Sequence, residues 1–172
     1  AEDGIHFDDE TFRIAGSNLT PSMLDCAEMA RLDGRHDLLS HEATAELEAR
    51  SFPNGAHVAE VEIDPETGVV RVDRYTVVDD FGNLFNPMLV EGQVHGGVAQ
   101  GIGQAINEHV VYDDNGQLLT ASFMDYGLPR AKDVPFMSFE TEPVPSTANA
   151  MGVKGCREAG TVGALAAVAN AG

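Results

Sequence analysis

Apolar and polar positions along the chain follow two periods, and the change from one to the other marks the elements. The first segment, GIHFDDETFRIAG, alternates apolar and polar residues around Asp8, Asp9 and Glu10, which predicts a short hairpin. A helix follows, with Thr20 able to cap it, Pro21 suited to its first helical position, and Met23, Leu24, Ala27, Ala30 and Arg31 at helical spacing before Gly34. The stretch from Asp37 to Arg50 reads as part helix and part loop. From Ala56 the period becomes two. HVAEVEID, the turn Pro65-Glu66-Thr67-Gly68 and VVRVDRYTVVDD predict an antiparallel strand pair. Asn86-Pro87 then opens a long helix reaching about Asn107 and carrying GQVHGGVAQGIGQ. Further strands are predicted in HVVYDD and QLLTASF, across the turn Asp114-Asn115-Gly116, and in MSFETE after Pro135. A loop from Pro143 to Glu158 leads into an apolar terminal helix. Strands grouped in hairpins, with helices between the groups, predict an α+β fold: a mixed, mainly antiparallel sheet with packed helices, rather than a doubly wound parallel sheet.

At 172 residues and 43% hydrophobic, the chain is long enough to bury one core, so residues 1–172 are read as a single domain. With 28 acidic against 10 basic residues and a formal charge of -18, its field repels phosphate backbones and anionic membrane surfaces. Nucleic acid is not an expected partner, nor is a membrane span, since no stretch approaches the roughly 20 apolar residues that one requires. Cys26 and Cys156 are far apart and lie in no CxxC or Cys/His pattern. That argues against a disulfide framework, zinc site or iron-sulfur cluster in this piece, and for a reducing, cytoplasmic setting. The chain starts without Met, and the close, GTVGALAAVANAG, stops with no capping or charged last turn. A fragment of a longer chain is therefore expected.

Most familiar catalytic signatures are missing. His41-Glu42 begins like HExxH but reaches Ala45, and Gly101-Ile102-Gly103 does not complete GxGxxG. The remaining histidines, His6, His36, His57, His95 and His109, show no ligand spacing and read as surface or satisfied core residues. Two glycine-rich segments hold more. Gly92, Gly96, Gly97, Gly101 and Gly103 crowd the long helix, where each is about 1 kcal/mol less favourable than Ala. Either another element packs tightly there or a bulky polar ligand rests on the helix beside Gln93, His95, Gln100 and Gln104. In MGVKGCREAGTVG, glycines 152, 155, 160 and 163 bracket Glu158 at the start of the terminal helix. A carboxylate there is either an ordinary complement to the helix N-terminus or a functional base.

VEGQVHGGVAQGIGQAINE, then YDDNGQLLTASFMDYGLPRAKDVP, then GVKGCREAGTVGALAAVANA closely resemble consecutive blocks of the catalytic subunit of xanthine dehydrogenase and aldehyde oxidase family molybdenum hydroxylases. The wording of SFMDYGLPRA and GVKG is most similar to the carbon monoxide dehydrogenase large-subunit branch. The resemblance runs from about Phe52 to the last residue. It implies the C-terminal portion of a molybdopterin-binding domain, part of a larger subunit whose cofactor is the cytosine dinucleotide form. It implies oxidation of an aldehyde, heterocycle or carbon monoxide with oxygen from water, with Glu158 taking the proton as general base. Gln93 would contact the pterin, Gly92, Gly96 and Gly97 would let the cofactor approach, and Gly155 and Gly160 would shape the loop presenting Glu158. No residue here is expected to ligate the metal. The implied partners are the N-terminal remainder of the subunit, iron-sulfur and FAD subunits in a dimer of heterotrimers, and a small-molecule substrate. One departure stands out. Arg157 occupies a position where the family usually has glycine, and an Arg would be disfavoured if that position required positive φ. The alternative is a truncated or diverged, non-catalytic domain that keeps the fold only, and the isolated piece is expected to be inactive.

Overall fold

The computed structural model describes residues 4–47 and 49–172. They divide into two compact units, one ending at Glu46 and the other running from Leu47 to Gly172.

In the first unit β1 (Ile5–Asp8) and β2 (Thr11–Ile14) form the expected antiparallel hairpin, Ile5 opposite Ile14 and Asp8 opposite Thr11. Asp9 and Glu10 both adopt positive φ, the twist a two-residue hairpin turn demands. Phe7 and Phe12 pack across the pair with ring centroids 4.8 Å apart and planes tilted by 47°. Helix α1 (Met23–Leu32) starts later than expected, because Ser22 and not Thr20 caps it. The Ser22 hydroxyl accepts from the Asp25 N–H while the Asp25 carboxylate accepts from the Ser22 N–H, a reciprocal capping box. Pro21 stays outside the helix, its carbonyl tied to the Phe12 N–H at 2.8 Å. The region expected to be part helix from Asp37 holds a single 3₁₀ turn, His36–Leu39.

The second unit is built on a three-stranded sheet in the order β3-β4-β5. Strands β3 (Asn54–Ile63) and β4 (Val70–Asp80) pair antiparallel, and β5 (Met137–Thr141) joins β4 in parallel, so the sheet is mixed. Glu60 pairs with Arg74 and Val61 with Val72, which leaves Asp73 as an extra residue on β4. This bulge resets the alternation. The buried positions step from Val72 to Tyr75, Val77 and Asp79 instead of continuing on even numbers. The predicted strands in HVVYDD and QLLTASF do not form. Their turn is present, with a single bridge between Tyr112 and Leu118. The next rung is only half made: the Leu119 N–H donates to the Val111 carbonyl at 2.8 Å, while the Val111 N–H donates to the Thr120 hydroxyl in place of a backbone carbonyl.

Helix α2 (Pro87–Ile102) begins as the sequence predicts, with the Asn86 side chain accepting from the Leu89 N–H and Pro87 in the first turn. It runs on into a π turn, Gly103–Asn107, where Gly103 packs on Pro129. Helix α3 (Ala159–Ala171) lies against both α2 and β3. Val94, Val98 and Ile102 of α2, Ala164 and Val168 of α3, and Val72, Tyr75, Val77 and Phe81 form the core. The two helices cross at a glycine contact: a Cβ on Gly160 would lie 2.6 Å from the Val94 carbonyl oxygen, and one on Gly97 would lie 3.0 Å from the Gly160 Cα. The Thr161 hydroxyl donates to the Gly97 carbonyl across the same contact, at 3.0 Å. Gly160→Ala is expected to destabilise the protein by about 1 to 3 kcal/mol through overpacking. Gly96, with nothing within 4 Å of its Cβ position, should behave oppositely: Gly96→Ala is expected to stabilise by up to about 1 kcal/mol through helix propensity. Denaturant unfolding of the two variants checks both signs.

Candidate functional site

Glu158 sits where the sequence places it, immediately before the first residue of α3. Two anchors hold it there. On the α3 side is the Gly97–Gly160 crossing. On the loop side is Lys154, whose ammonium meets the Asp80 carboxylate at 2.5 Å with both side chains nearly buried. The other Asp80 oxygen accepts from the Gly82 and Val144 N–H groups, each at 2.9 Å. Burial opposes the Asp80 charge, but the bonds from Lys154, Val144 and Gly82 outweigh it and bring its carboxyl down to about 2. The backbone adds a second tie, from the Lys154 N–H to the Phe81 carbonyl and from the Asn83 N–H to the Gly152 carbonyl. The loop is thus stitched to the end of β4 just ahead of Glu158.

The Glu158 side chain makes no capping bond, and among the described residues it has no hydrogen-bond or ion-pair partner. It is exposed on the rim of a cavity of about 390 Å³ lined by Phe52, Pro53, His57, Asp79, Val162 and Gly163, among others. A carboxylate at a helix N-terminus that leaves the N–H groups alone keeps both oxygens available for chemistry. Gly155 is exposed, with open space at its Cβ position. Arg157 is exposed, has an ordinary negative φ and forms no ion pair with Glu158 among the described residues. The position before Glu158 therefore accommodates a side chain without backbone strain.

The glycines of α2 split between two environments. Gly92 and Gly96 have nothing within 4 Å of their Cβ positions, and Gln93 between them is exposed. Gly97 differs. It is buried against α3, so its lack of a side chain serves the helix crossing and not a ligand. Gly101 likewise packs on Ala164. Gln93 does not line the cavity beneath Glu158. The structure therefore presents two separate features on this unit: an open glycine-glutamine stripe on α2 and a carboxylate over a cavity at the start of α3.

His57 and Asp79 line the cavity and belong to a cluster with Tyr75, of which the sequence reading named only His57, as a surface or satisfied core residue. The Tyr75 hydroxyl lies 2.8 Å from His57 Nδ1, and His57 Nε2 lies 3.2 Å from Asp79 Oδ1. The side chains of His57 and Asp79 are 7% and 1% exposed. Strand register explains the cluster: His57 stands opposite Val77, so Tyr75 and Asp79 are its diagonal neighbours on the inward face. A histidine and an aspartate both in the inward phase of paired strands was the available signal.

Comparison with known proteins assigns the class. Residues 1–135 match the molybdopterin cofactor-binding domain family, and the chain belongs to it. It is 46% identical over 120 residues to the nicotine 6-hydroxylase large subunit of Paenarthrobacter nicotinovorans, covering 70% of this chain and 15% of that protein. It is 38% identical over 121 residues to the carbon monoxide dehydrogenase large chain of Afipia carboxidovorans, covering 70% and 15%. Among solved structures it superposes on quinoline 2-oxidoreductase from Pseudomonas putida 86 with a TM-score of 0.80 at 36% identity, covering 98% of this chain and 22% of that one. The chain thus spans less than a quarter of the length of these relatives.

The Asp80 anchor yields a pH prediction. Its carboxyl titrates below the ordinary 3.8 in the fold, so the ionised form favours the folded state. That contribution is complete above about pH 4 and is lost as pH falls toward about 2. In an acid titration of stability, Asp80→Asn is expected to flatten the curve across that window; an unchanged acid limb would remove Asp80 as an anchor.

Proposed function

We propose that the chain is the C-terminal portion of the molybdopterin-binding subunit of a molybdenum hydroxylase, in which Glu158 is the general base. The observation that carries this reading is the Glu158 carboxylate, held from both sides yet spending no bond on its own helix. The open side of α2 fits a large, flat, polar group: Gly92 and Gly96 leave room at the helix surface, and the Gln93 amide between them offers two donors and an acceptor to a pterin edge. When bound, the molybdenum cofactor supplies activation of water and acceptance of two electrons. Glu158 contributes proton transfer. One of its Oε atoms takes the proton given up as water oxygen is delivered to a substrate carbon. Gly155 allows the loop to pass close to the cofactor without a side chain between.

The cytosine dinucleotide form of the cofactor, iron-sulfur and FAD partner subunits that take the two electrons onward, and a cytoplasmic location belong to the same proposal. The substrate is an aldehyde, a heterocycle or carbon monoxide. Phe123, Met124 and Phe136 are 79%, 92% and 104% exposed. Large apolar side chains so exposed support a role for these residues in packing against the remainder of the subunit. The chain offers a helix stripe and a loop, whereas pockets of this kind enclose about 70 to 90% of a ligand. The other walls must come from outside it. No helix is long and apolar enough to cross a membrane among the described residues.

In the complete enzyme Glu158→Gln is expected to retain molybdenum and lose turnover by a factor on the order of 100 or more. Elemental analysis and dye-linked turnover measure the two quantities separately, and retained turnover would make Glu158 a helix-end charge and nothing more. Gln93→Ala should do the reverse, lowering molybdenum content while turnover per bound molybdenum changes little.

A further inference from the structure

Glu158 owes its height above the cavity to what lies under the first turns of α3. Directly beneath Gly163 is the His57 ring: a Cβ at Gly163 would lie 2.4 Å from His57 Cγ and 2.5 Å from Nδ1. The ring cannot slide away. It is gripped at Nδ1 by the Tyr75 hydroxyl and at Nε2 by Asp79. The Asp79 carboxylate fills the space that Gly55 leaves, since a Cβ there would fall 1.8 Å from its Oδ1.

Hydrogen-bond bookkeeping defines the arrangement. Burial, with the Asp79 charge nearby, pushes the Tyr75 phenol above its ordinary range, so it remains a hydroxyl and can donate. With Tyr75 donating to Nδ1, Nε2 carries the hydrogen and donates to Asp79 Oδ1. Asp79 Oδ2 is buried with no partner among the described residues. A buried carboxylate oxygen without a bond is destabilising, and an apolar residue on this inward face would avoid it. The cluster stands where the sheet meets the N-terminal half of α3, the helix that presents Glu158.

We propose that Tyr75, His57 and Asp79 are positioning residues: they hold the imidazole as a rigid platform under Gly163 and so set the first turn of α3 and the Glu158 carboxylate. The inference rests on the reading of Glu158 as the base. It predicts a specific coupling between His57 and Gly163, because the space that a methyl group at 163 would need is the space the ring fills.

The test uses the complete enzyme with four variants: Gly163→Ala, His57→Ala, the double variant, and Tyr75→Phe. Hydrogen exchange of the segment 158–166 is read by mass spectrometry, alongside molybdenum content, kcat and KM. Alanine for glycine ordinarily steadies a helix, so a merely local effect of Gly163→Ala would slow exchange. The platform predicts faster exchange for Gly163→Ala when His57 is present and slower exchange when His57 has been replaced by Ala, a reversal of sign. Turnover per molybdenum should fall on the order of 10- to 100-fold in either single variant with KM unchanged, and the double variant should lose less than the product of the two. Tyr75→Phe, which removes a hydroxyl and little volume, should speed exchange in the same segment and lower kcat; it carries the test if His57→Ala does not accumulate. Exchange that changes equally across β3 and β4, Gly163→Ala effects of the same sign in both backgrounds, or kcat per molybdenum unchanged throughout would overturn the proposal. Retained turnover in Glu158→Gln would instead overturn the role of the base, and the exchange measurements would still decide whether the platform exists.

Discussion

The contact between Gly97 of α2 and Gly160 of α3 is the constraint on which the second unit depends. With no side chain on either helix at the crossing, backbone meets backbone, and the Thr161 hydroxyl can reach the Gly97 carbonyl. That closeness lets Val94 and Val98 on one helix and Ala164 and Val168 on the other meet the inward residues of β4 in a single core. It also fixes where α3 begins. Glu158 stands two residues before Gly160, so any widening of the crossing moves the carboxylate. The helix-propensity penalty of the buried glycines is offset by packing that no larger residue could achieve at this distance.

A second constraint acts from the other side. The loop leading to Glu158 has few apolar side chains to bury, and what orders it is polar: the Asp80–Lys154 pair, the backbone bonds to Phe81 and Gly152, and Asn149 bonded to Val153 through both ends of its amide. Asp80 is the pivot, because its carboxylate gathers Gly82, Val144 and Lys154 from three stretches of chain. Removing either partner of a pair this buried leaves the other charge uncompensated, which makes the tie stringent even where its net stabilisation is small. Helix packing and ion pairing thus converge on the few residues between Lys154 and Gly160.

Much of this was legible in the sequence. Period-two alternation found β3 and β4, Asn86-Pro87 marked the start of α2, and the glycine-bracketed block placed Glu158 before α3. What the sequence hid has identifiable causes. The competition between Thr20 and Ser22 for the cap of α1 turns on Asp25, which only Ser22 can reciprocate. Around Asp114-Asn115-Gly116 the ladder stops after its first rungs, where the Val111 N–H turns to the Thr120 hydroxyl instead of a backbone carbonyl. The glycines of α2 look alike in sequence, yet Gly97 and Gly101 face a helix while Gly92 and Gly96 face open space. A one-dimensional pattern can show that several glycines need close approach without showing by what. His57 was set aside because it lacked ligand spacing, and its partners Tyr75 and Asp79 become neighbours only once the register with Val77 is known.

The glycine division also separates two kinds of constraint on the same helix. At Gly97 the demand is internal, and any side chain would be felt in the isolated fold. At Gly92 and Gly96 no described residue lies within 4 Å of the Cβ position, and Ala there would improve the helix. Packing among the described residues therefore accounts for glycine at position 97 and not at positions 92 and 96. Gln93 stands between those two glycines and is exposed, with an amide that carries two donors and an acceptor. The buried crossing is thus explained by the packing of the two helices, and the stripe of Gly92, Gln93 and Gly96 is the part of α2 that this unit leaves open.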